Sequence, residues 1–367
     1  MPALLDTTSC PSPRWLPEGH SQTIFAALFA RHHRASFVRE RVDTPDGDFI
    51  DLDWTAPGLV PAAMGQAGPA RHTRRPGAQA AGTQTLPAAQ PVRLPNPLPQ
   101  STDNALVLFH GLEGSSRSPY AQAITQYFRS RGWTVVIPHF RGCSGEPNRL
   151  PRAYHSGDSK EIGFMLDTVR SRLPGARWHA VGVSLGGNAL LKHLGEVGTA
   201  ASWLTAAAGI SAPLDLMAGG STLGTGFVNR QVYTQMFLRT LKTKTLLKSQ
   251  MFPGTIDILR VANARDLYEF DDAYTAPLHG YTGVTDYWTR ASSKPLLGGI
   301  AVPTLVLNAR NDPFLPGRYL PGTHEASSHV LLHQPAQGGH VGFSSGRFPG
   351  NLNWLPQRIA TYFRCGA

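Results

Sequence analysis

Val181-Gly182-Val183-Ser184-Leu185-Gly186-Gly187-Asn188 is the stretch on which the reading of this chain turns. It follows a short apolar run, Trp178 to Val181, and precedes a helix-forming segment, Ala189 to Gly195. A serine with glycines two residues before and two after it, set between a strand and a helix, marks a reversal too tight for flanking side chains. Such a turn holds the serine in a strained conformation. Its hydroxyl is pushed clear of the sheet edge, beside the N–H groups that open the next helix. In a chain with 38 glycines the pattern also arises by chance, so other strand ends must supply partners for the serine.

Working outward, apolar strands alternate with amphipathic helices. Upstream, Ala105 to Phe109 and Trp133 to Pro138 read as buried strands, with helices over Pro119 to Arg131 and Ser159 to Leu173. Downstream, Leu204 to Ile210, Thr304 to Asn308 and Val330 to Leu332 read as strands, and Trp354 to Phe363 as a closing helix. Strands without a polar face belong to a mostly parallel sheet covered by helices on both sides, an α/β architecture whose ligands bind beyond the carboxyl ends of the strands. Ahead of this core, Phe37 to Asp43 and Asp48 to Trp54 flank Thr44-Pro45-Asp46-Gly47 as an antiparallel hairpin. Phe49 and Ile50 alternate out of phase, which leaves the inward face of the second strand open. Ser21 or Thr23 would cap a short helix over Ile24 to Ala30.

Four regions follow. Residues 1–56 are an N-terminal segment whose hairpin joins the core sheet. Residues 57–104 are rich in proline, alanine and glycine, carry no acid before Asp103 and show no hydrophobic period. Such a segment cannot bury enough apolar area to offset its ordering, so a flexible insertion is expected. Residues 105–213 and 299–367 make the core. Residues 214–298 carry helical stretches (Val228 to Leu247, Ile258 to Phe270) and aromatics such as Tyr233, Phe237, Tyr287 and Trp288. They are expected to form a helical cap, inserted before the last two strands, with an apolar underside facing the substrate.

Several strand ends carry chemistry. His110-Gly111-Leu112-Glu113-Gly114 is a glycine-rich turn that can aim the Leu112 N–H at the space before Ser184, where the Leu185 N–H would complete an oxyanion hole. Gly111, Gly182 and Gly186 give the loop and the elbow their shape. His110 is expected to pin the turn rather than act as a base. Asp312 lies just past the strand at Thr304, and His340 arrives on Gly338-Gly339-His340 after the last strand. A serine hydroxyl is not ionised at neutral pH, so it needs a base, and the base needs an anion to fix its tautomer. Ser184, Asp312 and His340 stand in the order nucleophile, acid, base. Rival acids are Asp215, Asp158 as a helix cap, and Asp271 and Asp272 in surface or capping roles. His20, His139, His155 and His279 are expected to be structural or pocket-lining. Arg141 and Phe343 are candidates to line the pocket, Arg141 either binding a substrate anion or anchoring its loop. Cys143 lacks a partner base and is a poor nucleophile.

These stretches, with Gly19-His20-Ser21-Gln22-Thr23, Arg141-Gly142-Cys143-Ser144-Gly145, Tyr154-His155-Ser156-Gly157 and Glu269-Phe270-Asp271-Asp272, resemble the YheT-like branch of the α/β-hydrolases over nearly the whole chain outside 57–104. The resemblance implies an α/β-hydrolase fold and a serine hydrolase of carboxylesterase or acylglycerol-lipase type, with Ser184, Asp312 and His340 on the triad positions. The expected reaction is cleavage of short- to medium-chain acyl esters or monoacylglycerol-like lipids through an acyl-enzyme. Acyl transfer from the same intermediate, or a binding protein that kept the fold, are the alternatives.

Composition narrows the partners. A net charge of +10 raises nucleic acid or an anionic surface. No lysine/arginine block or recognisable nucleic-acid module accompanies it, so no nucleic acid is expected. Three cysteines, Cys10, Cys143 and Cys365, have no metal-ligand spacing and read as free thiols of a reducing compartment. The first 17 residues lack a signal-peptide core, and Ile24 to Ala30 is too short to span a bilayer. A cytoplasmic enzyme with no metal or organic cofactor is expected, with transient contact at a membrane surface left open and oligomeric state unread.

Overall fold

The computed structural model describes residues 2–29, 35–57, 59 and 103–365. The expected insertion at 57–104 falls almost entirely outside them. Among the described residues nine strands form one sheet: β1 Leu4–Asp6, β2 Val38–Asp43, β3 Phe49–Thr55, β4 Asn104–Phe109, β5 Thr134–His139, β6 Arg177–Val183, β7 Leu204–Ile210, β8 Thr304–Leu307 and β9 Val330–His333. Their spatial order is β1-β9-β8-β7-β6-β4-β5-β3-β2. Only the β2–β3 and β3–β5 pairings are antiparallel; the other six are parallel.

Period-two alternation sorts the strand side chains between two cores. Val107 and Phe109 of β4 and Ala180 of β6 face Ile162, Met165, Leu190 and Leu191, which belong to α3 (Ser159–Arg172) and α4 (Leu185–Val197). Leu106, Leu108 and Val181 face the opposite way. There they meet Ile124 and Phe128 of α2 (Pro119–Arg129) and Ile359 and Phe363 of the closing helix Trp354–Cys365. Both faces are therefore covered. Truncating one of these large buried side chains, such as Phe128, costs about 3–5 kcal/mol.

Three local features differ from the sequence expectation. β1 went unread because three residues carry no usable period; it lies parallel to β9 at the sheet edge, held by Asp6 to Arg358 of the closing helix at 2.8 Å. The first helix, α1, runs Gly19–Leu28, and Glu18 caps it in a reciprocal box with Ser21, so neither Ser21 nor Thr23 is the cap residue. β3 is buried along its whole length. That is why Phe49 and Ile50 break alternation, and its acids are paired across the hairpin, Asp53 with Arg39 at 2.6 Å and Asp51 with Arg41 at 2.8 Å. The region between β7 and β8 is helical and caps the sheet, including helices Leu216–Leu223, Gln235–Met251 and Val284–Ala291.

Candidate active site

Ser184 ends β6 and opens α4 with φ 53° and ψ −120°, a strained backbone for a residue with a side chain. The glycines make the turn feasible. A Cβ on Gly182 would lie 2.4 Å from the Gly186 carbonyl oxygen, and one on Gly186 2.5 Å from that of His110. Gly186 therefore lets α4 start against the end of β4, which brings the His110–Gly114 turn beside the serine. A Cβ on Gly111 would sit 3.6 Å from Ser184 Oγ.

Asp312 and His340 converge on the same hydroxyl. His340 Nε2 lies 2.9 Å from Ser184 Oγ, and its Nδ1 lies 2.9 Å from Asp312 Oδ2. An ionised carboxylate has no proton to give, so Nδ1 carries the ring hydrogen and Nε2 is free to accept one from the serine. Asp312 is fully enclosed, and its Oδ1 accepts the Phe314 N–H at 2.7 Å. The Phe314 ring stacks on the imidazole, with centroids 4.0 Å apart.

The loop that carries His340 is held by residues the sequence did not single out for the task. The His340 N–H donates to Thr23 Oγ1 at 2.8 Å, and Gly338 N–H to Gln22 Oε1 at 2.8 Å. Asn311 Oδ1 accepts the Gly339 N–H at 3.0 Å, and Ser211 Oγ the Val341 N–H at 3.0 Å. α1 can come this close because position 19 is glycine; a Cβ there would lie 2.0 Å from the Asn311 carbonyl oxygen. The signal was the Gly19-His20-Ser21-Gln22-Thr23 run itself, but a sequence motif does not name the loop it binds.

On the other side of Ser184, the amides flanking Leu112 are engaged. Gly111 donates to Tyr120 Oη and Glu113 to Tyr154 Oη, each at 2.8 Å. The Leu112 N–H between them has no protein acceptor among the described residues. Glu113 has φ 55°, and its carboxylate accepts the Tyr154 hydroxyl at 2.7 Å and pairs with Lys244 of the cap at 2.8 Å. Leu185 is the first residue of α4, where backbone N–H groups lack helical acceptors. His110 is wholly buried and pushed down to about 3 by desolvation and by the neighbouring His139. Neutral, it spans Gly111 O at 2.8 Å and the Phe140 N–H at 3.2 Å, which pins the turn.

Other expectations need revision. Phe343 is not in the wall of either cavity that reaches Ser184: it is fully buried and stacks on Trp354 with centroids 5.4 Å apart. Arg141 borders a side cavity with its guanidinium already paired, to Glu161 at 2.8 Å and Asp48 at 3.0 Å, so it anchors its loop. Asp158 stands at the N-terminus of α3, but its carboxylate goes to Arg152 at 2.6 Å instead of the helix amides. Asp215 caps the helix Leu216–Leu223. Asp272 fits its expected role, pairing with Arg260 at 2.8 Å. Asp271 does not: it is half-buried and lines the cavity on the underside of the cap. Burial pushes the Cys143 thiol up to about 11, which leaves little thiolate at neutral pH.

Two apolar cavities meet at Ser184 and His340. One, of about 120 Å³, lies under the cap between Leu112, Leu216, Phe270 and Trp288. The other, of about 320 Å³, runs between α1 and the helix Gln235–Met251, past Ile24, Leu28 and Met236. Among the described residues no helix is long and apolar enough to cross a membrane.

Comparison with known proteins places this geometry in context. A family model described as alpha/beta hydrolase fold matches residues 104–196. A protein of Escherichia coli (strain K12) that carries the name esterase YheT is 35% identical over 342 residues, 93% of this chain and 88% of its own. Phospholipase ABHD3 of Mus musculus is 28% identical over 93% of this chain and 74% of its own. Among solved structures, the Pyrococcus furiosus esterase PF2001 superimposes with a TM-score of 0.50 at 12% identity, covering 100% of this chain and 97% of its own.

Proposed function

The chain belongs to the YheT-like family of α/β-hydrolases, and from that premise we propose that it is a carboxylic ester hydrolase whose nucleophile is Ser184. The observation that carries the reading is the continuous relay from Ser184 Oγ through His340 to Asp312, with both contacts at 2.9 Å. Ser184 Oγ attacks the ester carbonyl while His340 Nε2 takes its proton. Asp312 steadies the imidazolium and keeps Nδ1 protonated. The carbonyl oxygen becomes an oxyanion that the N–H groups of Leu112 and Leu185 receive. The imidazolium then protonates the departing alcohol as the carbon–oxygen bond breaks, leaving an acyl-serine. Water, deprotonated by His340, repeats the attack, and the acid leaves with Ser184 regenerated.

The walls of both cavities suit apolar arms on the two sides of the ester, which supports short- to medium-chain acyl esters or monoacylglycerol-like lipids as substrates. The second cavity also gives an alcohol a place to stand when the acyl-serine is resolved, so acyl transfer is the second reading. Hydrolysis of a p-nitrophenyl ester series from acetate to palmitate, beside mono-, di- and triacylglycerols, tests the proposal. Ser184→Ala should lower kcat by on the order of a millionfold and abolish labelling by a fluorophosphonate. Undiminished turnover in that variant refutes it. Product analysis with a competing alcohol separates hydrolysis from transfer.

A further inference from the structure

The wall of the cap cavity holds Leu216, Leu223, Leu267, Phe270 and Trp288 and contains neither lysine nor arginine. One carboxylate interrupts it. Asp271 is surrounded by protein yet keeps accessible surface, because it forms part of that wall. Its Oδ1 accepts the Thr275 hydroxyl at 2.6 Å and its Oδ2 the Trp288 indole N–H at 2.8 Å. Both donors are neutral, and each carboxylate oxygen can accept more than one hydrogen bond. Burial pushes this carboxyl up to about 6, with the two hydrogen bonds opposing the rise.

Other enclosed acids among the described residues are treated differently, Asp312 by its contact with His340 and three more by arginine. Asp53, Asp48 and Glu161 each face an arginine. Asp271 has no cationic partner among the described residues. A need to orient Trp288 does not account for the charge, since a neutral amide would accept the indole N–H equally well. The indole is also already confined by Gly220, where a Cβ would lie 2.3 Å from its ring. A buried carboxylate without a cation is costly unless a ligand supplies the missing donor.

We propose that Asp271 sets the specificity of this site by receiving a hydrogen-bond donor carried on the arm of the ester that enters the cap cavity. The preferred substrates are then esters with a hydroxyl or ammonium group on an apolar stem. This rests on the assignment of Ser184 as nucleophile, because the same cavity joins Ser184 to Asp271.

The test compares kcat/KM for p-nitrophenyl esters from butanoate to octanoate with their ω-hydroxy and ω-ammonio counterparts. The enzymes are the wild type, Asp271→Asn and Ser184→Ala. At the chain length that reaches Asp271, the wild type should favour the donor-bearing ester by about ten- to a hundredfold. The ratio should fall toward one in Asp271→Asn, whose amide still accepts from Trp288 but carries no charge. A preference confined to ammonium identifies a cationic group, and one confined to hydroxyl a neutral donor; either upholds the proposal. Plain esters turned over as well at every length by the wild type, or a ratio unchanged in Asp271→Asn, overturn it. Should that variant not fold, inhibition of the wild type decides: alkylammonium ions and alkanols that bind no tighter than matched alkanes overturn the proposal. Turnover surviving Ser184→Ala would defeat the reading of the reaction itself, whereas serine-dependent turnover without donor preference defeats only this inference.

Discussion

Tyr154→Phe removes one oxygen and should slow catalysis without weakening substrate binding. That hydroxyl accepts the Glu113 N–H at 2.8 Å and donates to the Glu113 carboxylate at 2.7 Å. Glu113 follows the residue proposed to supply an oxyanion donor, and its φ of 55° is one that a side-chain-bearing residue holds only when its surroundings impose it. Deleting an oxyanion donor outright costs about 2.7–4 kcal/mol in other hydrolases. The Leu112 amide would not be deleted here. The turn keeps the Gly111 N–H on Tyr120, the Gly114 N–H on the Gly111 carbonyl at 2.9 Å and the Lys244–Glu113 pair. Roughly half of the full penalty is therefore expected, about 1.4–2 kcal/mol, or a ten- to thirtyfold fall in kcat.

The same change leaves the half-buried Glu113 N–H without its acceptor, which should cost about 0.5–1.5 kcal/mol of stability. Steady-state kinetics on a soluble p-nitrophenyl ester, with urea unfolding run in parallel, reads both effects. Because the oxyanion forms only as the carbonyl is attacked, kcat should fall while KM stays within about twofold. A variant that loses stability but keeps wild-type kcat would show that Tyr154 only braces the fold. A rise in KM at constant kcat would refute the argument outright.

Two further outcomes follow from the packing. Gly186→Ala places a methyl 2.5 Å from the His110 carbonyl oxygen and 2.7 Å from that of Phe109, so α4 must retreat from β4. Ester hydrolysis should be lost together with several kcal/mol of stability, on the order of the 1–3 kcal/mol of overpacking plus the cost of moving backbone; wild-type activity in this variant would contradict the elbow geometry. Burial holds several histidines low, among them His110 and His279 at about 3 and His179 at about 4, against an ordinary value of 6.5. Their folded values lie below their unfolded ones, so their contribution is present above pH 6.5 and is lost as pH falls from there toward 4. The urea midpoint should drop across that window, and His179→Gln should flatten the drop; a midpoint independent of pH would contradict it.

What the sequence made legible was whatever local pattern dictates. The continuous apolar runs of β4, β6 and β7 announce a sheet covered on both faces, because strands buried on both sides cannot afford polar alternation. Ser184, Asp312 and His340 could be placed on strand ends because each is followed or preceded by turn residues. Phe343 misled. It is a candidate to line the pocket in sequence, but its ring packs inward onto Trp354, with φ 32° at Phe343. Asp271 and Asp272 both lie within the cap segment, where surface or capping roles are expected of an acid. What sets Asp271 apart from Asp272 is its place in the cavity wall and its bond to Trp288, 17 residues away.

The support of His340 was illegible for a deeper reason. Gln22 and Thr23 lie more than 300 residues from the loop they hold, as 317 separate Thr23 from His340. Nothing in the α1 sequence encodes that distance; it follows from the strand order, which seats β1, just ahead of α1, beside β9. A base on a glycine-rich loop loses its aim unless something fixes the backbone, since glycine contributes no side-chain contacts of its own. Here the N-terminal helix supplies that constraint with two side-chain oxygen acceptors, Gln22 Oε1 for Gly338 and Thr23 Oγ1 for His340, and Gln22 Oε1 also accepts at 3.0 Å from the amide of Asn311, whose Oδ1 receives the Gly339 N–H. The helix therefore belongs to the site as much as the strand ends do. Its removal or displacement should silence the enzyme while Ser184 and Asp312 remain where the sheet puts them.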